Sequence, residues 1–523
     1  MAIALDKLAP ADLERYLHMQ SIVAGQEKQA ARVLALRAYY DGDHPVLLTD
    51  RQQEYLGGLL DKPAFPFAHN LVRSVIDTLR ERLSVTGVGV EGAADDDVGT
   101  PEAQVSAALW RWWTRGRLDS EQIRLYRRAL RDGLAYVMVD FDAEAGRPRF
   151  TQHHVDAGEL EPGIVLHRDP TDQNRVLYAS RYFSVFDPLT PGATGVRRKT
   201  VYLPDQIRKY RMGRGGWEPV MDAGDAGWPL PWVDRRSQPL GIPVVEFANP
   251  GGSEIAQIIG LQNALNKAWL DLLAAADTSG FPLMAIEYED DLPLAALAAE
   301  DDEDAAIRLS PGRAIEVVKA RVHRLEAAQL EPMIATIRYI VQAISGVSRT
   351  PAYYLEPVGG GNVPSGEALK QLESGLVRRA QERQLVFGQA WEDVFALAYR
   401  VNQAFGPSLP ELPDLSLHVE WADANVRNEA NEAATAEAHG RLGVPQEELW
   451  RRLGYTPEQI EGFKASSLAD KAAQVAQVTA ALRINGAANG RPAAAQNGNN
   501  VTETGGQNGT GGTNGRADSI MAR

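Results

Sequence analysis

The chain has 523 residues, of which 44% are apolar and 24% are charged, a composition typical of a folded protein of about three domains. It contains no cysteine, which excludes disulfide bonds, thiolate zinc sites and cysteine nucleophiles. Its net charge of −15 argues against a sequence-specific reader of duplex DNA, which needs a basic face, but is compatible with a surface past which DNA slides.

The N-terminus and the distribution of apolar residues bear on location. Residues 1–20 carry acids among their apolar residues and lack the basic start and continuous apolar core of a signal peptide. No stretch approaches the ~18 uninterrupted apolar residues of a membrane-spanning helix. We therefore expect neither export through a signal peptide nor contact with a membrane.

The first 252 residues predict an α+β region. Asn70 is placed to cap a helix that continues to Leu79, and the stripe from Val105 to Trp113 has helical spacing. Residues 135–142 predict a buried strand. Three further segments predict an antiparallel meander, at 175–187, 197–203 and 206–212.

Two helices separated by an insertion come next. Ser253 is predicted to cap the first helix, 253–277, with Glu254 favourable in its first turn. Residues 278–330 predict a small α/β insertion with strands at 281–289 and 314–318. The second helix, 331–350, starts with Pro332 in its first turn, where a missing N–H costs nothing, and Gly346 is its predicted terminator.

A glycine-rich loop and a long helix follow. The loop is VGGGNVPSG at 358–366, and an apolar stripe that includes Leu372 and Trp391 predicts a helix over 367–405. Residues 406–484 are predicted to be mainly helical, and 485–523 have too few large apolar residues to fold. The chain as a whole is thus α+β and predominantly helical.

The glycine loop permits a second interpretation, a phosphate-binding loop. Gly361 and Gly366 have the spacing of that motif, which continues with Lys and then Ser or Thr. Here Glu367 and Ala368 occupy those positions, and a carboxylate in place of the ammonium repels phosphate. The favoured interpretation is a flexible loop whose Ser365 caps the following helix.

Other candidate sites have structural interpretations that we prefer. The acidic runs Asp95–Asp97 and Asp301–Asp304 are interpreted as solvated surface rather than as cation sites. His153 and His154 lack a third ligand at metal-binding spacing. No cofactor is expected.

Aromatic and basic clusters also permit two interpretations. Trp110, Trp112 and Trp113 stand among arginines, as in a nucleic-acid surface, but Trp112 and Trp113 lie on the apolar stripe, which favours core packing. The long helix carries Arg378, Arg379 and Arg383 between acids, which favours ion pairs, with contact to passing phosphates as the alternative. The acids in question are Glu373 and Glu382.

The order of these elements resembles the portal proteins of tailed double-stranded DNA bacteriophages, of the siphophage type. The resemblance covers about 10–480. Its phrases are YYDGDHP (39–45), FAHNLVRSVIDTLRERL (67–83), NPGGSEI (249–255), ISGVSRTPAYYL (344–355) and SGEALKQLESGLVRRAQERQ (365–384). None of them is a catalytic motif.

The resemblance implies an architecture of wing, stem, clip and crown. In those terms the wing is 1–252, the stem helices are 253–277 and 331–350, and the clip is 278–330. The tunnel-loop region is 351–366, with Gly359, Gly360, Gly361, Asn362 and Val363 facing DNA. The long helix, 367–405, lines or buttresses the channel, 406–484 form the crown, and 485–523 are a disordered tail.

The resemblance also implies partners and a place. The subunits would form a homo-oligomeric ring, twelve in the virion, at one capsid vertex, assembled in the host cytoplasm. Double-stranded DNA would pass through without sequence-specific contact. The terminase motor, a head–tail adaptor, and the major capsid and scaffold proteins would dock on the ring.

Two other functions stay open at this point. One is another structural virion protein, a minor capsid or connector component, although the length argues against a connector. The other is a nuclease or packaging ATPase, which would need a metal cluster or a phosphate loop. Enzyme activity is not expected, because the best candidate loop carries Glu367 and Ala368.

Overall fold

A computed structural model describes most of the region predicted to fold. The described residues are 4–19, 25–45, 68–92, 99–156, 163–186, 195–222, 224–225, 227–280, 284–288, 320–324, 329–356, 366–425, 439–441, 444–452, 455 and 459–466. The chain forms two units, Met1–Pro457 and Glu458–Arg523. In the second unit the described residues, 459–466, are helical.

The helices follow the predicted pattern closely. In chain order they are α1 (Pro10–Met19), α2 (Gly25–Asp41), α3 (Leu71–Arg80), α4 (Pro101–Arg115), α5 (Leu118–Asp132), α6 (Ile259–Gly280), α7 (Glu331–Ser348), α8 (Gly366–Phe405) and α9 (Gln446–Arg452). Short 3-10 turns occur at Leu5–Lys7 and Ala352–Tyr354. The Asn70 side chain accepts a hydrogen bond from the Arg73 N–H, which confirms the predicted cap of α3.

The strands of the described part of the chain form four sheets. In chain order they are β1 (Val85–Val90), β2 (Leu134–Asp142), β3 (Arg147–His154), β4 (Ile164–Arg168), β5 (Val176–Val185), β6 (Val196–Tyr202), β7 (Gln206–Gly213), β8 (Gly216–Pro219), β9 (Leu230–Pro231), β10 (Val244–Ala248), β11 (Met284–Tyr288), β12 (Ala320–Arg324) and β13 (Leu417–Trp421).

Antiparallel pairing joins these strands. The meander has the order β4-β5-β6-β7-β8 with β9 on β7, and a second sheet has the order β10-β2-β3. Strands β11 and β12 pair with each other. Strand β1 pairs with β13, although most of the chain lies between these two strands in sequence. The predicted meander is confirmed, and the turn at 213–216 closes its β7–β8 hairpin.

The core is centred on the C-terminal half of α8. Trp391, Phe395 and Phe387 on α8 are fully buried. The Trp113 ring lies edge-on to Trp391 at 5.0 Å, and the Trp391 indole N–H donates a 2.8 Å hydrogen bond to the Tyr126 hydroxyl. Helix α8 has 40 residues and a length of about 60 Å. It follows the glycine loop in sequence, and its C-terminal half packs against the first 250 residues.

The first predicted stem helix begins later than expected. Ser253 was predicted to cap it, but α6 starts at Ile259. The Ser253 hydroxyl instead donates a 2.5 Å hydrogen bond to the Arg131 carbonyl. Gly251 and Gly252 before it have φ angles of +82° and +83°, so the chain turns here and residues 254–258 stay non-helical.

The end of the second predicted stem helix also differs. Gly346 does not terminate α7, which continues to Ser348 and ends with Arg349 in the left-handed region at φ 50°. The Ser348 hydroxyl accepts a 3.3 Å hydrogen bond from the Thr350 N–H, and Ser345 donates one of 2.6 Å to the Thr350 carbonyl. These bonds close the helix end after Ser348 without a glycine.

One further expectation falls outside the described residues, and two others need correction. The strand predicted at 314–318 lies outside the described residues, and the strand that pairs with β11 is β12, at 320–324. Residues 406–484 were expected to be mainly helical, yet β13 lies within them because its backbone pairs with β1. Leu372, predicted on the buried stripe of α8, is 55% exposed.

Candidate functional site

The predicted tunnel loop stands between two described segments. Its residues Gly359, Gly360, Gly361, Asn362 and Val363 lie outside the described residues. The 3-10 turn Ala352–Tyr354 precedes the loop, and α8 follows it from Gly366. The candidate site is the base of this loop, where these two segments meet.

Two tyrosines before the loop bind one carboxylate after it. The hydroxyls of Tyr353 and Tyr354 both donate hydrogen bonds to the Glu373 carboxylate, and the bond from Tyr354 is 2.9 Å long. Arg82 donates a 2.7 Å hydrogen bond to the Tyr354 hydroxyl and lies 3.4 Å from a Glu373 oxygen. We call Arg82, Tyr353, Tyr354 and Glu373 the loop-base cluster.

Burial strengthens this cluster. The Glu373 residue is 6% exposed, so its charge depends on the protein for compensation. Burial, and then the hydrogen bond to Glu373, raises the pKa of the Tyr353 phenol, which therefore stays a neutral donor. Both chain ends of the loop are thus fixed at the same buried charge.

The loop-base cluster is also joined to the segment that follows strand β13. Arg82 donates a 3.1 Å hydrogen bond to the Ala424 carbonyl. The Gln384 amide on α8 donates to the carbonyls of Arg82 and Ala422, at 3.2 and 3.0 Å. One arginine after α3 therefore contacts the base of the loop, α8 and the segment after β13.

A second buried network holds α8 against the chain before α6. The Glu254 carboxylate pairs with Arg379 through one oxygen and with Arg383 through the other, the latter at 2.8 Å. The Asn249 amide donates a 3.0 Å hydrogen bond to that second oxygen. The side chains of Glu254, Arg379 and Arg383 are 8%, 9% and 7% exposed.

The turn at 249–254 makes this network possible. The Glu254 N–H donates a 3.0 Å hydrogen bond to the Leu130 carbonyl, and the Asn249 N–H donates one of 2.9 Å to the Gly133 carbonyl. These bonds attach the turn to the end of α5, so Glu254 points at α8 and does not enter a helix. Arg379 and Arg383 form ion pairs, as predicted, and Arg383 pairs with the predicted Glu382. Their buried partner, however, is Glu254, which is remote in sequence.

One stripe of α8 stays open. From Gln371 onward, all the exposed side chains of this helix except Leu372 and Phe405 fall on one arc of its circumference. They are Gln371, Ser374, Arg378, Gln381, Glu382, Leu385, Gln389, Asp393 and Arg400. The stripe is polar and rich in uncharged amides, and its cations and anions are interspersed.

The tryptophans on α4 belong to the core. Trp112 and Trp113 are 7% and 1% exposed, and Trp110 stacks on Trp113 at 6.0 Å. The preference for packing over a nucleic-acid surface is confirmed for these side chains. Arg378 is exposed on the open stripe of α8, unlike its buried neighbour Arg379.

The histidine pair has a structural setting. His153 is 8% exposed, and burial, followed by the charge of Arg181, lowers its pKa to about 4. His154 lies 3.4 Å from Arg37, which pairs with the buried Asp132 at 3.1 Å. The acidic runs at 95–97 and 301–304 lie outside the described residues.

The described part of the chain lacks the features of a membrane span and of a metal centre. None of its helices combines the length and apolarity that crossing a membrane requires. Nor does that part contain three or more His, Asp or Glu side chains grouped as metal ligands.

The sequence did not single out Arg82, Tyr353, Tyr354 or Glu254 for the contacts that they make. The available signal was weak, because YYL before the loop and Glu373 after it are neighbours in space only once the loop is closed. Pairing between Glu254 and Arg379 requires knowledge of the turn at 249–254, which was predicted to be the start of a helix.

Comparison with known proteins identifies the class. The profile of the family described as "Phage portal protein, SPP1 Gp6-like" matches residues 20–468. The chain belongs to this family, and its function is that of a phage portal protein. Proteins of the family are structural, and a DNA channel with docking surfaces is typical of them.

Named relatives agree with the family. The chain is 23% identical over 475 residues to the portal protein of Mycobacterium phage D29, covering 85% of this chain and 86% of the relative. It is 23% identical over 465 residues to the portal protein of Mycobacterium phage L5, covering 85% and 87%.

One solved structure is distantly similar. It is described as "Neck of empty GTA particle computed with C6 symmetry", and the match covers 80% of this chain and 96% of that one. The two chains are 12% identical and their TM-score is 0.38, which is too low to support an inference about this chain.

Proposed function

We propose that this chain assembles into a closed homo-oligomeric ring, with twelve subunits in the virion, at one vertex of the capsid. The ring is the channel through which double-stranded DNA is packaged and ejected. The terminase motor and later the head–tail adaptor dock on it, and the major capsid and scaffold proteins surround it. Assembly takes place in the host cytoplasm. The chain supplies no catalysis and needs no cofactor.

The observation that carries this proposal is the fixed base of the glycine loop. Tyr353, Tyr354 and Glu373 hold both ends of the loop, and the loop residues between them contribute none of these contacts. Repeated around a ring, Gly359–Val363 would form a collar at the height of the DNA. The fixed base would give this collar the same position in every subunit of the ring.

The open stripe of α8 supports a channel that does not grip its cargo. Uncharged Gln371, Gln381 and Gln389 alternate with charges of both signs along it. A row of cations would neutralise phosphates and hold DNA in a salt-dependent manner. Interspersed charges and amides lower that attraction, as a conduit requires.

Helices α6 and α7 support the stem and clip of the proposed architecture. They pack against each other, and the antiparallel hairpin β11–β12 belongs to the chain between them. In this proposal the stem is formed by 253–277 and 331–350, and the clip at 278–330 meets the motor and the adaptor. The wing is 1–252 and the crown is 406–484, with 485–523 as a disordered tail.

Electron microscopy tests the proposal directly. Negative-stain images of the purified chain are expected to contain rings with a central hole, and mass photometry is expected to give multiples of the subunit mass. In virions, a label on the chain is expected at one vertex. A strictly monomeric particle under capsid-assembly conditions, or a label distributed over many vertices, would overturn the proposal.

A further inference from the structure

Three segments enclose an open depression beside the Glu254 network. One is the turn at 250–254 with Gln257, another is the end of α7, and the third is a turn of α8. Its lining includes Gly252, Glu254, Arg349, Arg379, Glu382 and Arg383. We call this recess the arginine depression.

The charges of the arginine depression do not balance within the described lining. It contains the guanidinium groups of Arg349, Arg379 and Arg383 but only two carboxylates. Glu254 is used on both oxygens, and Glu382, which is 56% exposed, pairs with Arg383. One positive charge is therefore in excess, in a protein whose net charge is −15.

One donor in the depression has no acceptor. The Nη1 atom of Arg379 is buried and makes no hydrogen bond to any residue that the structure describes, and the Arg379 side chain is 9% exposed. Burial lowers the pKa of the Arg379 guanidinium, and the charges of Arg383 and Arg349 lower it further. A buried donor without a partner is costly, so an added anion at this place would be stabilising.

The shape of the depression selects the kind of anion. A Cβ atom added at Gly251 or Gly252 would meet nothing within 4 Å, so the wall formed by these glycines is open. Arg349 is exposed at the rim, whereas Arg379 and Arg383 are recessed. A carboxylate on a flexible side chain is therefore better suited to a recessed guanidinium than a phosphate held on the convex surface of a duplex.

We propose that the arginine depression receives the carboxylate of an Asp or Glu side chain from a second copy of this chain, its neighbour in the ring. This inference rests on the proposed function. Acidic residues outnumber basic ones by 69 to 54, so a neighbouring surface readily supplies the group. Arginine binds carboxylate through two parallel hydrogen bonds, which fixes the relative position of neighbours as well as attracting them.

Cross-linking between subunits tests the proposal. The variant Arg349→Lys places a primary amine at the rim, where a carbodiimide couples it to a carboxylate in contact. Rings are assembled from equal parts of light and 15N-labelled chain. The expected result is a cross-linked peptide pair that joins position 349 to an Asp or Glu and contains mixed-isotope pairs. The variant Arg378→Lys, exposed on α8 outside the depression, is the control and should give at least tenfold fewer of them.

Charge reversal gives the second arm. Arg349→Glu should leave the thermal unfolding of the subunit unchanged, because the side chain is exposed, and raise the concentration needed for half-assembly about tenfold. If rings form but position 349 gives only single-isotope cross-links, this proposal fails while the ring stands. If the unaltered chain forms no rings, the proposed function fails, and this inference fails with it. If Arg349→Glu rings assemble normally but lose DNA retention, the depression serves phosphate and the proposal is overturned.

Discussion

The hydroxyl of Tyr354 donates a 2.9 Å hydrogen bond to the carboxylate of Glu373, 19 residues further along the chain. The segment between them contains the whole glycine loop. The loop is therefore closed at its base by a neutral donor and a buried charge, with Arg82 bound to both.

Removal of the Tyr354 hydroxyl should loosen this base. Tyr354→Phe leaves Glu373 with one tyrosine donor fewer, and we expect a loss of about 1–3 kcal/mol in the free energy of unfolding, because the acceptor is charged. Urea denaturation followed by fluorescence measures it. Tyr339→Phe is the matched control, since that side chain is 73% exposed and should lose almost nothing. Equal effects at the two positions would contradict the role of the bond.

Deletion of Gly359–Val363 should spare assembly and impair DNA handling. The contacts that hold the loop base lie outside the deleted residues, at 353, 354 and 373. Negative-stain images should contain normal rings, while phage that carry the deletion should package or retain less DNA in a nuclease-protection assay. Loss of rings would mean that the loop is a packing element.

The buried pair between Glu254 and Arg383 should be costly to break. Arg383→Ala removes a partner of a carboxylate that is 8% exposed, and we expect destabilisation of about 3–5 kcal/mol. Chemical denaturation measures it against Arg236→Ala. The Arg236–Glu411 pair is 77% exposed on both sides, so its loss should cost about 0–1 kcal/mol. Similar costs for the two variants would argue against the network as the anchor of α8.

Tyr339 should contribute to contacts between subunits. A tyrosine 73% exposed on α7 leaves a large apolar ring in water, which a neighbouring stem would cover. Tyr339→Glu should therefore reduce ring formation, as measured by mass photometry, without lowering subunit stability. The control is Phe186→Glu, at a residue 65% exposed after β5 in the wing region. If the control reduces assembly and Tyr339→Glu does not, the stem is not the contact.

Acid should destabilise the subunit through His153. Its pKa is lowered to about 4 in the folded state, below the ordinary value of 6.5. Between these values the unfolded chain binds the proton and the folded chain does not, so the free energy of unfolding falls as pH drops from 6.5 to 4. His153→Gln should flatten this part of the profile in denaturation curves recorded from pH 7.5 to 4.

His418 provides a control of opposite sign. The Glu420 carboxylate, 3.8 Å from its ring, raises its pKa above 6.5, so its stabilisation is complete below that pH and is lost as pH rises through the folded-state value. His418→Gln should therefore destabilise the subunit more in mild acid than at alkaline pH. Identical pH profiles for the two variants would contradict both assignments.

Periodicity was sufficient to predict the elements that bury one face. The stripe from Val105 to Trp113 and the long helix over 367–405 agree with the structure because their apolar spacing is local information. The prediction that Leu372 is buried was wrong, because apolar character does not reveal whether a neighbour covers the residue. The exposure of an apolar side chain on a helix depends on which other elements pack against that face of the helix.

The site could be predicted only in outline. The glycine loop between two helices is visible in the sequence, but the convergence of Tyr354, Glu373 and Arg82 depends on contacts between residues up to 291 positions apart. The start of α6 was misplaced for the same reason. Ser253 has a good local preference for a cap, and its bond to the Arg131 carbonyl, 122 residues away, overrides that preference.

The pairing of β1 with β13 determines when the protein can fold. Val85 lies opposite Trp421, so the first strand of this two-stranded sheet must wait until about four-fifths of the chain has been synthesised. Until then the backbone N–H and C=O groups of β1 lack the strand that pairs with them in the folded chain, and truncations before β13 should aggregate and not yield a smaller folded domain. Residues 253–350 are therefore synthesised before this two-stranded sheet can form.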